Sequence, residues 1–301
     1  MPGRETLEVD GRRLAVSNLA KVLYPGDGTT KHRVIEHYVR VAEVMLLQLS
    51  GRPATRKRWP DGTGRQPFFE KNAPRGTPSW VRTVTLDSPG STRDREQVTY
   101  PVVEGLATLV WLANLAALEL HTPQWTVGPR GGVHHPDRLV VDLDPGAPAA
   151  LAECAEVACL VRDRLAADGL ETSPVTSGSK GLQLYAPISG RQDADAVRRY
   201  AHEMAKELEA AHPALIVSRM AKAVRGGKVF IDWSQNDSAK TTITPYSLRG
   251  LDRAFVAAPR TWQELENPGS LTQLLTTDLP ERLDTLGDLA PPTSQAGPRL
   301  P

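Results

Sequence analysis

The chain has 301 residues, room for one large domain or two ordinary ones, and 24% of them are charged, which fits a folded protein and excludes disorder throughout. Its 36 Lys and Arg against 35 Asp and Glu leave a net charge of +1, so the total announces no polyanion partner. The distribution is uneven, however: residues 1–71 carry 13 Lys and Arg against 8 Asp and Glu, residues 72–250 carry 19 against 20, and residues 251–301 carry 4 against 7. A polyanion would dock at the N-terminal end. The opening residues have no apolar stretch of the kind that directs export, and the most apolar run, 105–118, is shorter than the roughly 20 residues of a membrane-spanning helix. That run predicts a buried helix, and the two cysteines, Cys154 and Cys159, lie about 140° apart on a predicted helix, as free thiols of a reducing cytoplasm would.

In chain order, residues 7–16 predict a hairpin turning at Asp10-Gly11, and 17–24 a capped helical turn stopped by Pro25-Gly26. Thr30 is placed to cap a helix whose Val34, Ile35, Tyr38, Val41, Ala42 and Met45 share one face. Residues 51–76 lose helical periodicity, mix basic, aromatic and turn-forming side chains, and predict a surface. A helix is expected over 103–120, a strand over 138–144, a helix over 149–168, a strand pair at 171–177 and 183–186 around a glycine-rich turn, and a helix over 193–212. Residues 229–233 predict a strand and 241–248 an extended segment. The composition of 290–301 predicts a disordered tail. Strands and helices without regular alternation indicate an α+β fold around a central sheet.

Four segments carry chemistry. In a strand over 138–144, Val140, Asp142 and Asp144 face one way and Leu139, Val141 and Leu143 the other. Two carboxylates about 6–7 Å apart on one face at an open strand end suit divalent-metal phosphoryl chemistry, although two solvated aspartates read the same way. Asp232 sits inside a second apolar strand and needs a partner, which a metal shared with Asp142 and Asp144, or an Arg or Lys, would provide. Thr176-Ser-Gly-Ser-Lys-Gly181 offers hydroxyls, Lys180 and glycine-freed backbone N–H groups to a triphosphate, or is a surface turn; its spacing is not that of a Walker A loop. Residues 56–71 interleave cations with Trp59, Phe68 and Phe69, a composition that grips phosphates and stacks bases.

Taken in order, Lys21-Val-Leu-Tyr-Pro25, Phe68-Phe-Glu-Lys-Asn72, Leu118-Glu-Leu-His121, Asp142-Leu-Asp-Pro-Gly146, Ser177-Gly-Ser-Lys-Gly181, Ile231-Asp-Trp-Ser-Gln-Asn236 and Tyr246-Ser-Leu-Arg249 resemble the polymerase domain of bacterial ligase D and its stand-alone primase-polymerase relatives in the archaeo-eukaryotic primase superfamily. That resemblance implies a single catalytic domain over 1–290 with a mostly antiparallel central sheet flanked by helices, its DNA 5′-phosphate-binding part at about 1–75 and its catalytic core at about 76–260, followed by the tail at 291–301. It implies a template-dependent DNA/RNA nucleotidyltransferase that fills short gaps and prefers ribonucleotides. Asp142, Asp144 and Asp232 inherit two divalent cations, Mn²⁺ or Mg²⁺. Ser177, Lys180, Gln183, Arg249, His121, Lys57 and Gln235 go to the incoming nucleotide, Lys21, Lys31 and Asn18 to the 5′-phosphate across a gap, and Phe68 and Phe69 to the template.

One position departs from the family pattern: Gln183 stands where ligase D domains carry histidine. Glutamine still donates a hydrogen bond but cannot carry charge. The same glutamine resembles that of the stand-alone branch, so the expected partners are gapped or broken 5′-phosphorylated duplex DNA, nucleoside triphosphates and a separate ATP-dependent ligase, with an end-binding protein if the chain serves non-homologous end joining instead. A monomer located with the bacterial nucleoid is expected. The chain has no Lys-x-Asp-Gly ligase signature and no nuclease segment, which assigns joining and trimming to partners. Two other classes remain: a catalytically weak gap- or end-binding module, and a DxD sugar transferase or phosphatase, the last disfavoured because Pro145 follows Asp144.

Overall fold

The structure is a computed structural model that describes residues 4–87, 96–293 and 296–301. Two sheets organise it. The larger has six strands in the order Ile216–Val217, Val229–Asp232, Arg138–Pro145, Leu182–Pro187, Ser173–Thr176 and Ala258–Pro259, antiparallel except where Ile216–Val217 runs parallel to Val229–Asp232. Its alternation is as expected: Leu139, Val141 and Leu143 are buried with Leu182, Leu184, Val229 and Ile231 against the helices Leu151–Ala167 and Ala194–Ala211. The opposite face carries Val140, Val175 and Tyr185, packed on Ile243 and Ala257. This mixture of helices and mostly antiparallel strands is the α+β architecture with a central sheet expected above.

The second sheet has the order Thr242–Ile243, Ala117–Thr122, Thr55–Arg58, Phe68–Glu70 and corrects three expectations. The helix over 103–120 is only Leu106–Asn114; Ala116 adopts φ 56°, which ends it and releases Ala117–Thr122 as a strand. The region 51–76 is not purely surface, because Thr55–Arg58 is an interior strand and Ala54, Arg56 and Trp59 are buried. The extended stretch 241–248 is a strand only at Thr242–Ile243, since Tyr246 turns with φ 70°.

Near the N-terminus the hairpin is Arg4–Val9 with Arg12–Ser17, but the helical turn over 17–24 is instead the strand Val22–Tyr24 paired with Thr29–Thr30. Leu23 and Tyr24 are fully buried there, and tertiary packing outweighs the local capping signal. Thr30 caps Lys31–Arg40 by accepting from Arg33 N–H, and the helix breaks at Val41 before continuing as Ala42–Leu49, keeping Val34, Ile35, Tyr38, Val41 and Met45 in the core. At the other end, 291–293 and 296–301 are held against the body rather than loose: Leu300 is buried in the core of the larger sheet, the Gln192 side-chain amide donates to Leu300 O and accepts from Leu300 N–H, and Gln48 donates to Pro291 O. Leu300 supplies the apolar anchor that composition alone hides. Cys154 and Cys159 are free thiols, the first buried. No helix among the described residues is long and apolar enough to cross a membrane.

Candidate active site

Register alone assembles the acids. Asp142 pairs directly with Asp232 on one side and with Gln183 on the other, so all three side chains lie on the face turned away from the helices, with Asp144 two residues along. Ligand oxygens of Asp142, Asp144 and Asp232 lie within 4.8 Å of one another. Burial first, then Asp144 and Asp232, push the Asp142 carboxyl well above its ordinary range; Asp144 is raised by burial and by Asp232. Three crowded carboxylates, with Asp142 and Asp144 held toward the neutral form, are what hard cations relieve, so this donor set fits divalent metals. Asp232 is fixed by its neighbours: Oδ1 accepts from Ser234 N–H at 3.1 Å and Ser234 Oγ at 2.5 Å, and Oδ2 from Gln235 Nε2 at 2.9 Å.

Above the acids lies a cavity of about 230 Å³ lined by His121, Asp142, Asp144, Ser177, Lys180, Gln183, Gln235 and Arg249, which gathers every nucleotide-contacting residue expected from the sequence except Lys57. The turn between the two strands is narrow by necessity. Gly178 has φ 69°, and a Cβ there would meet Arg249 Cγ at 2.6 Å; a Cβ on Gly181 would lie 1.9 Å from Leu143 O. The expected free backbone donors are largely occupied: Ser177 N–H donates to Gly181 O, Gly178 N–H to Gln273 Oε1 and Ser179 N–H to Ser177 Oγ. Charge toward a phosphate therefore comes from side chains, chiefly Lys180 and Arg249. Gln183 is held with its amide oxygen accepting from Tyr185 OH at 2.8 Å, and its hydrogen bond to Asp142 opposes the rise in that carboxyl.

Lys57 and His121 come from the second sheet. Lys57 pairs across strands with Glu119, and Glu119 and His121, two apart, share a face. Lys57 also sits over the Trp59 ring at 5.1 Å and lines a neighbouring open groove with Trp59, Arg65 and Gly250. At the N-terminal end Lys31 is buried, its Nζ donating to Ser17 O at 2.7 Å, while Lys21 is ion-paired to Asp61 at 2.8 Å and accepts Lys31 N–H on its carbonyl. Burial, then Lys21 and Arg58, lower the Lys31 ammonium to about 8. Asn18 takes φ 56° in the turn leading to Lys21, and Lys21 N–H donates to Asn18 O. Phe68 and Phe69 are 55% and 47% exposed, unusual for phenylalanine and available for stacking.

A family model of the LigD primase-polymerase domain matches residues 30–290. The chain belongs to the LigD primase-polymerase domain family. Its enzyme class is that of the family, nucleotidyl transfer. Among relatives, it is similar to the multifunctional non-homologous end joining DNA repair protein LigD of Mycobacterium tuberculosis (strain ATCC 25618 / H37Rv), 48% identical over 283 residues, 92% of this chain and 36% of the relative. LigD of Mycolicibacterium smegmatis is 43% identical, covering 95% of this chain and 37% of the relative. The chain thus spans little more than a third of the length of these curated relatives. Its structure is similar to the solved polymerase domain from Mycobacterium tuberculosis ligase D in complex with DNA, with TM-score 0.87, 47% identity, and 92% of this chain and 96% of that chain covered. The multifunctional LigD relatives give no support to the lean toward the stand-alone branch.

Within this LigD-type domain, sequence reading missed Glu119 and Gln273. Glu119 has a signal in hindsight, a lone acid between Leu118 and Leu120 in an apolar strand, two residues before His121. Gln273, which both accepts from Gly178 N–H and donates to Gly181 O, has none, because it reaches the turn from about 95 residues away.

Proposed function

We propose that this domain is a template-dependent polymerase that fills short gaps in DNA, using ribonucleotides in preference to deoxyribonucleotides. The observation that carries the reading is the convergence of Asp142, Asp144 and Asp232, the first two lining a cavity whose walls hold Lys180, Arg249 and His121. Asp142, Asp144 and Asp232 would hold two divalent cations, Mn²⁺ or Mg²⁺. Such cations lower the pKa of a primer 3′-hydroxyl and stabilise the departing pyrophosphate. The chain's own residues do the rest. Ser234 and Gln235 orient Asp232, and Lys180 and Arg249 place charge against the triphosphate as the 3′-oxygen bonds to the α-phosphorus and the bond to pyrophosphate breaks. Lys21, Lys31 and Asn18 would take the 5′-phosphate bounding the gap, and Phe68 and Phe69 would stack on the template.

The setting we favour is repair of chromosomal breaks, since the named relatives are end-joining proteins; ligase activity would come from another domain or from a separate enzyme, the latter favoured by Gln183 alone. The test is extension of a primer on gapped duplexes with and without a 5′-phosphate, with Mn²⁺ or Mg²⁺ and with ribo- and deoxyribonucleotides in parallel. Extension that is faster with ribonucleotides and stimulated by the 5′-phosphate is expected. Gap binding without any extension would reduce the domain to a DNA-recognition module.

A further inference from the structure

Glu119 is a buried carboxylate outside the acid cluster and the cavity lining, yet Lys57 and His121 of the second sheet and Arg249 beside it converge on it. Its Oε2 lies 2.9 Å from His121 Nε2 and 3.9 Å from Lys57 Nζ; its Oε1 accepts Gly250 N–H at 2.9 Å and lies 3.8 Å from Arg249 Nε. Only 4% of the side chain is exposed. Burial alone would raise its pKa, but the hydrogen bond from His121, the Arg249 charge and Gly250 N–H outweigh burial and lower it to about 2. Glu119 is therefore ionised at any working pH, and an ionised carboxylate only accepts, so His121 Nε2 must carry the proton. Gly250 is locked from its far side too: a Cβ there would lie 2.1 Å from the Trp59 ring, so the backbone that delivers Arg249 packs directly on the residue beneath Lys57.

We propose that Glu119 is the positioning residue of the nucleotide pocket, holding Arg249, Lys57 and His121 in place before the triphosphate arrives and fixing His121 as the Nε2–H tautomer, with Nδ1 left for the ligand. The proposal rests on the nucleotide reading above and deepens it. The Lys57 and Arg249 cations repel one another on the same wall of the pocket; a buried carboxylate between them and His121 offsets that repulsion and keeps each side chain in one rotamer, which lowers the ordering cost on binding. Glutamine could not substitute. Its amide accepts on one oxygen only and would turn an NH₂ toward either His121 and Lys57 or Arg249.

Two measurements test this. In the unmodified protein, ¹⁵N shifts of the imidazole assigned to His121 should report the Nε2–H form near neutral pH; an Nδ1–H form would overturn the proposal without any variant. In Glu119→Gln, the His121 midpoint should fall, because the carboxylate is what opposes the lowering of its pKa by burial, Arg249 and Lys57. Nucleotide KM, with Mn²⁺ and ATP on a gapped duplex, should rise roughly tenfold or more while kcat changes less. An unmoved midpoint together with an unmoved KM overturns the proposal alone. Failure of the unmodified chain to bind Mn²⁺ and ATP at all removes the nucleotide reading and the proposal with it.

Discussion

The two regions proposed to meet phosphates are built on opposite electrostatic terms. On the open face of the larger sheet's interior strands, three acids are forced together and the carboxyls of Asp142 and Asp144 are raised toward the neutral form, so the site gains by acquiring positive charge. At the N-terminal end, two lysines and Arg58 are gathered, and the buried Lys31 ammonium is lowered toward neutrality, so the site gains by acquiring negative charge. Each region is incomplete in a way that names its ligand. The scaffolds differ as well. The acids stand on paired strands where register dictates their contact, whereas the lysines stand on a turn and a helix start joined by the backbone hydrogen bonds Lys31 N–H to Lys21 O and His32 N–H to Leu19 O.

Breaking the acidic region should have the largest effect. Asp142→Asn should lower extension by roughly a thousandfold or more while gap binding stays within about twofold, because a metal ligand acts chiefly in the transition state. Breaking the basic region should leave chemistry and remove address: Lys21→Ala with Lys31→Ala should erase the preference for a 5′-phosphate and flatten the log–log salt dependence of gap binding by about two, read from titrations at several salt concentrations. The same preference should fade as pH rises through about 8, since Lys31 binds phosphate only while protonated and its folded pKa is lowered from the ordinary lysine value. Phe68→Ala should weaken binding to the template-bearing duplex by roughly tenfold through lost stacking, measured by fluorescence anisotropy. The smallest change is Gln183→His, expected to shift nucleotide KM only a few-fold and to add a pH dependence near 6 to 7 that the native glutamine cannot give.

Legibility in the sequence followed the same divide. Alternation along 138–144 and the lone acid in 229–233 were enough to foresee one face bearing Asp142, Asp144 and Asp232, because strand periodicity is local and the pairing that joins them preserves faces. The second sheet was not legible. Its strand Ala117–Thr122 follows a helix without any turn signal, and only Ala116 in a left-handed conformation separates the two, so an apolar run read as one helix became helix then strand. The strand Val22–Tyr24 and the packing of Leu300 were likewise decided by tertiary burial. Motif order supplied His121, Lys57 and Arg249 as nucleotide residues, yet Glu119, which touches or approaches all three, became visible only once the sheet placed it behind them.

We place metal-dependent nucleotidyl transfer on Asp142, Asp144 and Asp232, on one face of interior strands of the larger sheet, separately from DNA binding. That placement is tested most directly by measuring primer extension and gap binding together, on one 5′-phosphorylated gapped duplex with Mn²⁺ and ribonucleotides, for the native chain and Asp232→Asn. Extension by the native chain, its loss in the variant and equal gap binding by both are the expected result. Undiminished extension by Asp232→Asn would contradict the account.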